Sequence, residues 1–150
     1  MVVRETGIAP LPGVTEWLAR LQVAAVPCAI ASSTHRLNID TTLAVLGLQP
    51  YFQQIVSAED VTHGKPDPEV FLLAARQLDA APERCVVFED AHVGLEAARA
   101  AGMKVIGVAT THPAESLRDA DRVVHRLDEL SVDEFLVEHG MVTLWYERNS

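Results

Sequence analysis

Three short segments of this 150-residue sequence carry side chains that handle phosphate and metal ions. Ser32, Ser33, Thr34 and His35 follow an apolar run and lead straight into a helical pattern. Hydroxyls and free backbone N–H groups at a helix start make an anion site, because the orphan donors and the helix dipole both favour negative charge. The plainer reading is that one hydroxyl simply caps the helix. Lys65 stands between Gly64 and Pro66, and the only other lysine is Lys104. A point charge on a stiff loop beside a helix start suits a phosphate, and the plainer alternative is a solvated surface charge. Glu89 and Asp90 close a further apolar run, ahead of Ala91, His92, Val93 and Gly94. Two adjacent carboxylates where an apolar strand emerges are costly to bury unpaired. Mg2+ would compensate both, since it takes one or two carboxylates together with substrate phosphate oxygens and waters. The alternative is that Asp90 caps the helix beginning near Ala91, which leaves Glu89 unexplained. Together the hydroxyls, the lysine and the carboxylate pair read as a magnesium-dependent phosphate site suited to phosphoryl transfer, where positioning and charge neutralisation dominate catalysis.

The elements that must hold these groups alternate along the chain. Val26 to Ala31, Gln54 to Ser57, Cys85 to Phe88, Lys104 to Ala109 and Arg122 to Val124 are short apolar runs of the length of buried strands. Between them lie amphipathic stretches. Val14 to Val23 aligns Val14, Trp17, Leu18 and Leu21; Leu37 to Leu46 aligns Leu37, Thr41, Val45 and Leu46; Val70 to Leu78 aligns Phe71, Ala74, Ala75 and Leu78. Gly47 and Gly102 follow the second and fourth helices as left-handed caps. Asp67, Pro68 and Glu69 read as an N-cap, a proline at the first helical position and an acid in the first turn. Such alternation predicts parallel strands with helical crossovers, an α/β layered sheet. Ligands of such sheets bind at the carboxyl ends of the strands, where all three segments fall. Thr143 to Tyr146 reads as either a short last strand or part of a fraying tail.

Composition narrows the partners. With 12 Lys and Arg against 21 Asp and Glu, the formal charge is -9, which disfavours nucleic acid or an anionic membrane. An anionic substrate therefore has to be met by a local site. No apolar run approaches the roughly 20 residues of a membrane span, and the N-terminus lacks a signal-peptide pattern, so a cytoplasmic location is expected. Cys28 and Cys85, each inside an apolar run, are expected as buried reduced thiols.

The segments LPGV (Leu11 to Val14), CAIASST (Cys28 to Thr34), YFQQIVSAEDVTHGKPDPEVF (Tyr51 to Phe71), VVFEDAHVGLEAARAAGM (Val86 to Met103) and DADRVV (Asp119 to Val124) resemble the haloacid dehalogenase superfamily, in its beta-phosphoglucomutase-like and phosphoglycolate-phosphatase-like branch. The resemblance implies a Rossmann-like parallel sheet with flanking helices and activity on a small phosphorylated metabolite, a sugar phosphate foremost. By position it assigns phosphate binding to Ser32 with the Ser33 amide, and charge balancing at phosphate and nucleophile to Lys65, the catalytic lysine. It assigns Mg2+ binding to Asp90 as a direct ligand and to Glu89 either directly or through a water. It divides the chain into residues 1–10 as a remnant of the link from cap to core, 11–140 as a partial core and 141–150 as a C-terminal tail. Ala91 and His35 depart from the pattern of many relatives, which weakens a mutase assignment.

A larger departure concerns the family's first strand, which ends in Asp-x-Asp and supplies the nucleophile that becomes an aspartyl-phosphate. That strand and the helical cap after it are not matched here. Asp119 to Asp121, the only Asp-x-Asp, precedes a strand and matches a structural stretch. The absent strand is central in the family's sheet, between the strands ending at Ala31 and Phe88, so two apolar inner edges would be left unpaired. The expectations are a truncated, inactive and marginally stable product, or recovery of the strand from another polypeptide or by rearranged pairing. Self-association through the open edges belongs to the same expectation. The rival is a non-catalytic module that binds phosphate or a partner through the same strand ends.

Overall fold

The spacing of Val14, Trp17, Leu18 and Leu21 puts four apolar side chains on one stripe of a helix. In the computed structural model, which describes residues 13–110, 112–138 and 142–145, helix α1 (Val14–Val23) buries all four. The next stretch departs from expectation. Helix α2 (Arg36–Leu46) buries Ile39 and Leu43, while Leu37 and Val45 are among the most exposed large apolar residues. Ile39 and Leu43 are four apart and so share a stripe, and this pair decides which side turns inward. Helix α3 (Glu69–Gln77) buries Val70, Phe71, Ala74 and Ala75. It starts one residue later than expected, with Pro68 as N-cap and Asp67 accepting the Glu69 N–H at 2.9 Å. Helices α4 (His92–Ala100) and α5 (Val132–Glu138) complete the set. Gly47 (φ 67°) and Gly102 (φ 78°) take the expected left-handed conformation.

The strands are β1 (Cys28–Ala31), β2 (Gln54–Val56), β3 (Cys85–Glu89), β4 (Lys104–Val108), β5 (Arg122–Val124) and β6 (Val142–Trp145). They form one sheet in the order β2-β1-β6-β3-β4-β5, every neighbouring pair parallel. Side chains alternate between its faces. Cys28, Ile30, Val86, Phe88, Ile106 and Val108 pack with α1, α2 and α5 on one face. Ala29, Ala31, Val56, Cys85, Val87 and Val105 pack with α3 and α4 on the other. The two cysteines are thus on opposite faces, and both are buried free thiols as expected. On the first face Trp17 meets Phe88 and Phe135 edge-on at 5.6 and 5.1 Å and donates from Nε1 to the Leu127 carbonyl at 2.9 Å. That bond satisfies the one polar atom of a buried indole.

The centre of the sheet corrects the expectation of open edges. β6 lies between β1 and β3, with Thr143 opposite Cys28 and Val86, and Trp145 opposite Ile30 and Phe88. Rearranged pairing is therefore what the chain adopts: its own last strand supplies the hydrogen bonds that both inner edges need. Among the described residues no inner edge is left for self-association. The strand runs Val142–Trp145, one residue earlier than read from the sequence. Residues 1–10, assigned above to a cap-to-core link, lie outside the described residues.

Candidate functional site

Since every strand is parallel, the residues that follow β1, β2, β3 and β4 emerge on one edge of the sheet. β1 delivers Ser32, β3 ends on Glu89 and delivers Asp90, and the connection from β2 to α3 carries Lys65. Ser32, Glu89 and Asp90 are all buried, at 0%, 1% and 0% exposure. Lys65 Nζ donates to Glu89 Oε2 at 3.1 Å and to the Ala31 carbonyl, next to Ser32, at 3.5 Å, and lies 5.0 Å from the centre of the Phe71 ring. The lysine side chain is only 7% exposed. A solvated surface charge is therefore excluded. Its loop is anchored from behind by Glu69 of α3, whose carboxylate accepts the Thr62 and His63 N–H groups at 2.8 and 3.0 Å.

Glu89 is the hub of the cluster. Its Oε1 accepts the N–H groups of Asp90 and Ala91 at 3.1 and 3.2 Å while Oε2 takes Lys65. Burial pushes its pKa up, opposed by the Lys65 charge and reinforced by the charge of Asp90. The carboxylate lies against the first turn of α4 at Gly94, where a β-carbon would overlap it. Asp90 does not cap α4: the N-cap is Ala91, with no side-chain hydrogen bond. Asp90 Oδ2 instead accepts from Thr110 Oγ1 at 3.3 Å, and its carbonyl accepts from His112 Nδ1 at 2.9 Å. Thr110 and His112 follow β4, a fourth strand end beside those that carry Ser32, Lys65 and the Glu89–Asp90 pair.

The anion site expected at the start of α2 is already taken. Both oxygens of Glu59 accept the Arg36 N–H, at 3.1 and 3.2 Å, and His35 Nδ1 lies 3.4 Å from Oε1. Desolvation raises the Glu59 pKa, but the Arg36 bond and His35 outweigh it, leaving the group below its usual range. A helix start attracts any anion, and a carboxylate tethered on the adjoining turn outcompetes a free one. Ser32 Oγ accepts the Thr34 N–H at 3.0 Å, and its hydroxyl proton is the group left to donate. Ser33 is half-buried beside it. Asp121 of the Asp-x-Asp accepts the Val105 N–H at 2.8 Å, a structural role as expected.

The donor chemistry fits a hard divalent cation. Two adjacent buried carboxylates face one ammonium, a charge imbalance that such an ion would correct. Among the described residues no group of three or more His, Cys, Asp or Glu is arranged around a metal. Glu89 and Asp90 are the adjacent buried carboxylates of the cluster, and a magnesium ion takes one or two carboxylates with water and phosphate oxygens in its other positions. No helix among the described residues is long and apolar enough to cross a membrane.

Comparison with known proteins follows the same outline. The sequence model described as haloacid dehalogenase-like hydrolase matches residues 2–108. The chain is 44% identical over 107 residues to the chloroplastic 5-amino-6-(5-phospho-D-ribitylamino)uracil phosphatase of Arabidopsis thaliana, covering 71% of this chain and 29% of that protein. It is 38% identical over 126 residues to hexitol phosphatase A of Escherichia coli, covering 84% and 58%. The crystal structure of beta-phosphoglucomutase from Clostridium difficile superposes with a TM-score of 0.78 at 28% identity, covering 87% of this chain and 56% of that one. The chain spans less than two thirds of the length of each of these relatives.

Proposed function

This chain belongs to the haloacid dehalogenase-like hydrolase family, and on that premise we propose that it carries the phosphate- and magnesium-holding part of a phosphatase for small phosphorylated metabolites, sugar phosphates foremost. The observation that carries this reading is the convergence of Lys65 Nζ on Glu89 Oε2 at 3.1 Å and on the Ala31 carbonyl beside Ser32. One cation so placed joins the end of β3 at Glu89 to the end of β1 beside Ser32. Ser32 donates its hydroxyl proton to a phosphate oxygen, the Ser33 amide adds a second donor, and Lys65 balances the phosphate's charge. Glu89 and Asp90 hold Mg2+, which when bound neutralises charge on the phosphate. The relatives named as phosphatases for phosphorylated ribityl and hexitol compounds support this substrate class.

The resemblance reserves the phosphoryl acceptor for an Asp-x-Asp at the end of a first strand, and in the one Asp-x-Asp here Asp121 holds the Val105 N–H. The chain by itself is accordingly proposed to bind without turnover. Isothermal calorimetry with Mg2+ and inorganic phosphate tests the reading. Phosphate binding that requires Mg2+ and is lost in Asp90→Asn and in Lys65→Met is expected; binding indifferent to all three would overturn it. Magnesium-dependent hydrolysis of an aryl phosphate by this chain, abolished by Asp90→Ala, would overturn the expectation of no turnover.

A further inference from the structure

Asp90 sits between β3 and α4, and two of its partners come from a different part of the chain. β4 runs beside β3, with Glu89 opposite Gly107, so the turn leaving β4 stands next to Asp90. From that turn Thr110 Oγ1 donates to the carboxylate at Oδ2, 3.3 Å away, and His112 Nδ1 donates to the Asp90 carbonyl at 2.9 Å. A carbonyl has no proton to give, so Nδ1 of His112 is the protonated nitrogen. The His112 ring is fixed in turn against His92, the first residue of α4, with centroids 4.6 Å apart and planes at 80°. The turn is itself pinned, since the Ala109 N–H donates to the Val124 carbonyl at 2.8 Å and the Thr110 N–H to Val108 at 2.9 Å.

We propose that Thr110 and His112 are positioning residues that set the aim of the Asp90 carboxylate toward the divalent cation. This rests on the reading of Asp90 as a metal ligand. A fully buried carboxylate with rotational freedom presents either oxygen, or neither, to an ion. The Thr110 hydroxyl takes Oδ2 and thereby directs Oδ1 elsewhere, while His112 fixes the backbone from which the side chain hangs. Partners of this kind orient a ligand without touching the metal, and losing one typically weakens metal affinity by about 10- to 100-fold.

The experiment is Mg2+ titration by calorimetry of the full chain, beside thermal unfolding without Mg2+. Thr110→Val keeps the shape and removes the donor, Thr110→Ser restores it, and His112→Phe and His112→Asn form the matching pair for the second contact. The expected result is Mg2+ affinity weakened about tenfold or more by Thr110→Val and by His112→Phe, recovery in the Ser and Asn variants, and unfolding temperatures that do not follow the same order. Wild-type affinity in Thr110→Val and His112→Phe, with affinity still lost in Asp90→Asn, would overturn this inference and leave the metal reading standing. Mg2+ affinity unchanged in Asp90→Asn would overturn the metal reading itself.

Discussion

Gly94 and Glu89 meet across the first turn of α4: a β-carbon built on Gly94 would overlap Cγ, Cδ and Oε2 of Glu89. The carboxylate that Lys65, Asp90 and Ala91 all contact thus occupies the space that a side chain would have filled. Its geometry is set as much by that absence as by its three donors.

Gly94→Ala therefore runs against the usual trend. In an exposed helix interior the change gains about 1 kcal/mol, but here the methyl has to expel a buried, hydrogen-bonded carboxylate. A net loss of about 1–3 kcal/mol in urea unfolding is expected, with Mg2+ affinity reduced. A variant more stable than wild type with unchanged Mg2+ binding would contradict the packing described.

Lys65→Met strands the buried Glu89 carboxylate, next to Asp90, without its cation. Removing one partner of a buried pair costs about 3–5 kcal/mol, and Lys65→Met combined with Glu89→Gln should recover most of it. Burial already pushes the Glu89 pKa up, so the single variant escapes part of the cost by taking a proton in the folded state. A folded state that binds more protons than the unfolded one loses stability as pH rises. The deficit should therefore be smaller at about pH 5 than at about pH 8, as measured by urea unfolding at both.

Much of this was readable in advance, for identifiable reasons. The stripe of α1 and the β-branched runs are local patterns, and the sequence marks them directly. Lys65, Glu89 and Asp90 follow strand ends, and parallel pairing alone brings strand ends together. What was not legible depends on distance in the chain. Nothing local says that Glu59 reaches the Arg36 N–H and takes the start of α2 from an incoming phosphate. Thr110 lies twenty residues beyond Asp90 and meets it only because β4 pairs with β3. The inward turn of Ile39 and Leu43 rather than Leu37 and Val45 was set by where the core lies.

The placement of β6 gives a sharper test of the sheet. Its backbone is paired on both sides, with Leu144 opposite Ala29 and Val87. Proline has no N–H and is excluded from central strands, so Leu144→Pro should cost about 3 kcal/mol or more and broaden or abolish the cooperative transition seen by circular dichroism. The same substitution in a strand standing outside the sheet would change little. A transition indistinguishable from wild type would place Val142–Trp145 elsewhere.

Asp60 closes the turn after β2. Its Oδ2 accepts both the N–H and the hydroxyl of Ser57, at 2.8 and 2.9 Å, and those bonds hold its pKa below the ordinary carboxylate value. The sign follows from linkage: stabilisation from a depressed carboxylate is complete above its unfolded pKa of about 4 and is lost as pH falls through the lower folded value. Asp60 is exposed, so solvent screening limits the effect. Asp60→Asn should cost about 1 kcal/mol in urea unfolding near neutral pH, from weakened bonds to Ser57. The gap to wild type should narrow as pH drops below about 4 and close once it falls through the lower folded value, where the native carboxyl is also neutral. A deficit that stays constant through that range would mean the charge of Asp60 contributes nothing, and that the turn is held by shape alone.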